Sequence, residues 1–245
     1  MGLIASTDDH NGTPGQVAED AYPGHTGRND DSAEKRVTKF PEFNPGGLAG
    51  VWAEENTRAS VFSALYNRET FGTSGPRIRV RFYQTKAAAP CTADFPKTII
   101  DAGDAMAMGS VIGPSVLGGQ PPPFAIAALP DGNDQPLANG TSGPAGLDRV
   151  QIIKAHYKAG QGNVIYDKPV DVAIASGGAC VPWTDPAPFD PQAYAFYYVR
   201  VMQAKTLRWS HFDCASNPTV ADCANGTLDT PIQERAWSSP IWYQP

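Results

Sequence analysis

The sequence predicts a mainly β fold whose larger part is an antiparallel β-sandwich. Gly (24) and Pro (23) are both abundant in the 245 residues, and long helical patterns are few. Short apolar or alternating runs recur between Gly- and Pro-rich turns, as in a sandwich of short strands. One stretch, Arg77-Ile78-Arg79-Val80-Arg81-Phe82-Tyr83, alternates charged and apolar residues with the period of a half-exposed strand. The length suits one large domain or two smaller ones. A net charge of −6 leaves no basic stripe to neutralise phosphates, so nucleic acid is excluded as a partner. No apolar run is long enough to span a membrane.

Taken in order, residues 2–10 are small and apolar, then acidic. They read as a buried strand ending in Asp8, Asp9 and His10, with a turn at Asn11-Gly12. This start lacks the basic opening of a signal peptide. Residues 11–46 are rich in Gly, Pro, Asn and Asp and read as one long surface loop. Residues 47–53 form a second short buried strand. Thr57 is a candidate N-cap for a helix over 58–67, with Val61, Phe62, Leu65 and Tyr66 on one apolar face. Gly75 and Pro76 stop it, and a domain boundary falls near residue 76. Beyond it, strands are predicted at 77–83, 124–129, 149–157, 164–174 and 193–202. Tyr194, Phe196, Tyr197 and Tyr198 fit period-2 burial; a sugar-binding platform is the sharper alternative. Asn11, Asn139 and Asn225 each open an Asn-Gly-Thr triplet, read as tight turns rather than glycosylation acceptors.

Cys91, Cys180, Cys214 and Cys223 include no Cys-x-x-Cys pair. Cys214 and Cys223 flank a polar loop that suits a local disulfide, and Cys91–Cys180 is the second expected bridge. Two bridges imply an extracytoplasmic compartment; four free thiols in the cytosol are the alternative.

The chemistry concentrates in Thr7-Asp8-Asp9-His10. At a strand end, residues i and i+2 face one side, so Asp8 and His10 converge while Asp9 points away. A carboxylate with an imidazole suits Zn²⁺, Mn²⁺ or Fe²⁺. The competing reading makes the aspartates turn caps and His10 a surface residue. His25, in a Gly-flanked loop, reads as solvated, although such a loop can swing onto a metal. Glu54 and Glu55 follow the second strand and are substrate-facing candidates, as is Arg58; a helix N-terminus and surface charge are the plainer readings.

Residues 2–10 resemble the last metal-binding motif of the PHP (polymerase and histidinol phosphatase) superfamily, a strand ending in Asp-x-His. The stretches 2–15, 51–58, 64–75, 196–202 and 233–243 together resemble the C-terminal portion of the DUF3604 family. The resemblance implies that residues 1–76 are the last strand and helix of a PHP-like barrel, followed by a β-rich domain over 77–245. It implies that Asp8 and His10 are metal ligands, with Asp9 a proton acceptor or hydrogen-bond partner. The superfamily's other ligands, of His-x-His type, are not in this chain. The site is therefore expected to be incomplete and its divalent metal absent or partial in the isolated chain. The implied protein is a metal-dependent hydrolase of small phosphoesters or related esters, periplasmic or secreted, with any signal peptide upstream of this stretch. Residues 1–76 would dock on the β domain, pair with another copy or be poorly ordered, and the rest of the barrel is a further expected partner. A non-catalytic β-sandwich accessory module is the other function carried forward.

Overall fold

A computed structural model describes residues 1–86, 100, 103–167, 169–173, 177–228 and 231–245. The chain is mainly β. Strands are β1 (Leu48–Val51), β2 (Thr70–Thr73), β3 (Arg79–Thr85), β4 (Ala105–Ala107), β5 (Val111–Ile112), β6 (Pro123–Leu129), β7 (Asp134–Pro136) and β8 (Ser142–Pro144). They continue as β9 (Leu147–Tyr157), β10 (Ile165–Tyr166), β11 (Val170–Val172), β12 (Ala179–Thr184), β13 (Tyr194–Gln203), β14 (Arg235–Ser238) and β15 (Ile241–Tyr243). The longer helices are α1 (Ala33–Lys39), α2 (Arg58–Asn67) and α3 (Trp209–Ser216).

The large sheet is built on β13. One edge of β13 pairs with β9 along its whole length, and β9 carries β10 and β11 on its far side. The other edge pairs with β15 at one end and β14 at the other. From β14 the sheet continues through β2 to β1; from β15 it continues to β5, a parallel pair that makes this sheet mixed. The second sheet, β12-β6-β3-β4, is antiparallel throughout.

Period-2 alternation explains why the sheets stack. Val80 and Phe82 of β3, Phe124 and Ile126 of β6, and Tyr197, Val199 and Val201 of β13 all turn into one core. Phe124 lies 4.9 Å from both Phe82 and Tyr197, ring centre to ring centre, which joins the sheets across the interior. Burying aromatics and branched aliphatics at ~25 cal/mol per Å² is the main source of stability.

Among the described residues no barrel closes; the β1–β2 hairpin extends the large sheet, and Phe71 of β2 enters the common core. Three expectations need correction. Residues 2–10 join no sheet ladder, although every second one is partly covered. The loop at 11–46 contains helix α1, which Ser32 caps by accepting a hydrogen bond from Lys35 N. The strand at 164–174 is two short edge strands, β10 and β11.

Helix α2 has its foreseen bounds, and the Thr57 side chain caps it through Ser60 N. Its apolar face is nevertheless open: Phe62 is 67%, Leu65 46% and Tyr66 74% exposed. Cys214 and Cys223 form the expected disulfide. Cys91 lies outside the described residues, and the Cys91–Cys180 pairing with it. All three Asn-Gly-Thr triplets are turns of one kind. The Asn Oδ1 accepts from the Thr backbone N at 3.1, 3.0 and 2.9 Å for Asn11, Asn139 and Asn225. The intervening glycine sits at φ 81°, 82° and 76°, where a Cβ is disfavoured.

Candidate metal centre

Glycines seat the segment that carries Asp8 and His10. Its backbone lies against the β1–β2 hairpin, where a Cβ on Gly72 would stand 2.8 Å from Leu3 Cδ2. A Cβ on Gly46 would stand 2.4 Å from Thr7 Cα, and one on Gly47 2.0 Å from Thr73 O. Polar contacts then fix the register. Leu3 N donates to Ser239 Oγ, Thr70 Oγ1 donates to Leu3 O, and Gly47 N donates to Ser6 O.

Past Thr7 the chain turns. Asp8 adopts the left-handed region at φ 54°, an uncommon choice outside glycine that Asp and Asn tolerate best. Asp9 stabilises the turn: its Oδ2 accepts from Thr7 Oγ1 at 2.9 Å and its Oδ1 from Thr13 N at 3.3 Å. Desolvation is the largest single influence on the Asp9 carboxyl and raises it, but the donors at Thr7, Thr13, Asn11 and Gly12 together outweigh it and the net effect is downward.

A second loop closes on the first. His10 N donates to His25 O at 2.8 Å, and Asn11 Nδ2 donates to Gly24 O at 2.5 Å. The two imidazoles come to 5.1 Å, centre to centre, and His25 leans on Phe43 at 4.5 Å. Asp30, fully buried, positions this loop. Its carboxylate accepts from His25 N at 2.5 Å, Thr26 N at 2.8 Å and Thr26 Oγ1 at 3.0 Å. Gly24, at φ 97°, is required because a Cβ there would meet Asp30 O at 2.5 Å.

The result is a cluster of Asp8, His10 and His25 whose ligand atoms all lie within 4.8 Å of one another. Asp8 and His10 are exposed and His25 is half-buried. Ligands at ~2.1 Å around a tetrahedral ion stand about 3.4 Å apart, inside the 4.8 Å that bounds the three donor atoms. One carboxylate and two imidazoles are a donor set that suits Zn²⁺, Mn²⁺ or Fe²⁺, and the exposed side of the cluster is open to solvent. The foreseen pair thus converges, though by a left-handed turn rather than by strand alternation. His25, read from the sequence as solvated with a swing onto a metal as the alternative, lies beside the pair, in a Gly24-His-Thr-Gly27 setting where glycines permit a tight loop.

Glu54, Glu55 and Arg58 are not brought to this cluster. Gly46 and Gly47, beside Ser6 and Thr7, precede β1, whereas Glu54 follows its other end, on the order of 10 Å of strand away. Glu54 lines a separate cleft with Trp52, Glu69, Arg81 and Tyr83, in which the Arg81 guanidinium lies 3.6 Å from the Trp52 ring centre. Glu55 accepts from Thr57 Oγ1, and Arg58 is exposed at the start of α2.

The fold and site together describe a β protein whose core lies between two larger sheets, with β7–β8 as a third small one, and with a carboxylate–imidazole cluster near the start of β1. The chain matches the family described as "Protein of unknown function (DUF3604)" over residues 1–180 and 169–245, and it belongs to that family. No curated protein and no solved structure matches it.

Proposed function

We propose that this chain supplies ligands to the centre of a divalent-metal hydrolase acting on small phosphoesters or related esters. The observation that carries the reading is the convergence of Asp8, His10 and His25. The assignment to a PHP-type hydrolase rests on the Asp-x-His motif and is a resemblance of sequence. Asp8, His10 and His25 would hold the ion; Asp9 and Asp30 would hold the two loops that present them. A divalent ion in such a site supplies Lewis acidity and lowers the pKa of water toward neutrality. Three ligands at an exposed position make an open site, and further ligands would come from outside this stretch, from the rest of a barrel or a second copy. An oxidising compartment, periplasmic or extracellular, accords with the Cys214–Cys223 disulfide.

A non-catalytic accessory module is the second reading. Phe196, Tyr198, Trp237 and Trp242 line an open apolar groove with Met1 to Ala5 on the outer side of the large sheet, as a docking module would require.

Zn²⁺ and Mn²⁺ titration by calorimetry tests the first reading. We expect one ion per chain, with affinity falling 10- to 100-fold in Asp8→Ala, His10→Ala and His25→Ala. Equal, weak binding by all four proteins would favour the module.

A further inference from the structure

Two carboxyl groups meet in the interior well away from the histidines. Glu19, in the short turn Glu19–Ala21, is 8% exposed, and Glu234, just before β14, is 2% exposed. Their carboxyl groups are in hydrogen-bonding contact with each other. Two carboxylates at that distance in a dry setting cannot both ionise cheaply, so the pair retains one proton. Glu19 Oε2 also accepts from Trp209 N at 2.7 Å, the first amide of α3, and Glu234 Oε2 accepts from Ser74 Oγ.

The surrounding charges do not neutralise the pair. Arg208 is the cation nearest Glu19, yet it gives its NH groups to Pro41 O, Phe43 O and Ser210 Oγ. Arg235 acts on Glu234, but no ion pair forms between them among the described residues. Arg77, Asp20, Asp131 and Asp134 line the adjoining cavity of about 150 Å³, in which Asp131 is occupied by Arg77 N and Asn133. Tyr22, beside Trp209, stays neutral, its hydroxyl pushed up by burial.

The location gives the pair its significance. Glu19 belongs to the 11–46 segment that carries His25; Glu234 leads into β14 of the large sheet. We propose that the Glu19–Glu234 contact is a proton-operated latch that seats residues 11–46 on α3 and the sheet, and that losing its shared proton releases them.

The sign follows from linkage. Burial first, then the Glu234 charge, raises Glu19 to about 8, and burial also raises Glu234. Free glutamates titrate near 4.3. The latched state therefore binds one more proton than the released state between about pH 5 and 8, and release becomes easier as pH rises through that window. Above it neither state holds the proton, and the effect levels off.

The test is limited trypsin digestion of the whole chain at pH 5.5 to 9, scoring cleavage at Arg28, Lys35, Arg36 and Lys39. Each rate is taken relative to Glu234→Gln at the same pH, which cancels the protease's own pH profile. The side-chain amide that this substitution introduces donates to Glu19 without needing a titratable proton. We expect the wild-type ratio to rise about tenfold per pH unit from 5.5 to 7.5 and to flatten above about 8. Glu19→Gln, which keeps the Trp209 acceptor, should track Glu234→Gln and guards against one variant misfolding. A constant ratio, or a rise equally steep in Glu19→Gln, would overturn the latch. The readout is docking of the segment, so it stands or falls separately from metal binding.

Discussion

The two-sheet core and the 11–46 segment are held by opposite means. Between β3, β6 and β13 nearly every inward side chain is apolar and fully buried. The segment docks on α3 through a small cluster, Tyr22, Val37, Trp209, Cys214 and Leu228, surrounded by directed polar contacts. Arg36 bonds Asp213 in a fork at 2.7 and 2.9 Å, and Trp209 Nε1 donates to Phe43 O at 2.9 Å. Apolar burial is non-directional and tolerates small shifts, whereas forked and capped contacts specify one geometry. The His25 loop sits in the region built for geometry, and the stability sits in the other.

The sharpest way to break this contrast pairs Phe82→Ala with Trp209→Ala. Each removes a fully buried aromatic at a cost of ~3–5 kcal/mol. Phe82→Ala should lower the global denaturation midpoint and expose amides throughout. Trp209→Ala should speed hydrogen exchange over 17–43 while β9 and β13 keep their protection. Equal loss of protection in both variants would mean that the two regions unfold as one.

A smaller effect is expected from the disulfide. Replacing Cys214 and Cys223 by Ser opens a loop of 9-residue separation, worth about 2–3 kcal/mol in the chain-entropy account. The loss should appear in α3 and its docked segment, read as faster proteolysis there. An unchanged cleavage rate would show that the bridge stabilises only its own loop. Smallest is Thr57→Ala, which removes the cap of α2 for ~1 kcal/mol. Since α2 presents its apolar face to solvent, the change should leave both regions' exchange rates intact and reduce helical signal alone.

Legibility in the sequence followed the same division. Elements set by local pattern were readable: α2 from its Thr57 cap, β3 from alternating Arg and apolar residues, and the three Asn-Gly-Thr turns. Cys214–Cys223 was readable because its partners are near in the chain. Helix α3 was not, because its apolar residues find their partners in Tyr22 and Val37, far away in sequence. The closeness of His25 to Asp8 and His10 was open in the sequence for a related reason: buried Asp30, five residues on, holds its loop in place. The open face of α2 shows the limit of periodicity, which reports an apolar stripe but not what covers it. Residues 2–10 had the composition of a strand, yet they lie on glycines rather than in a ladder.

Those glycines carry a consequence for any screen that scores mutants by lost metal uptake. Gly46, Gly47 and Gly72 contribute no ligand atom, but even a methyl group at Gly46 would collide with Thr7, next to Asp8. If the proposed site holds a metal, residues defined by having no side chain would rank in a map of sensitive positions beside Asp8, His10 and His25. The site's outline would then be drawn as much by empty space as by donor atoms.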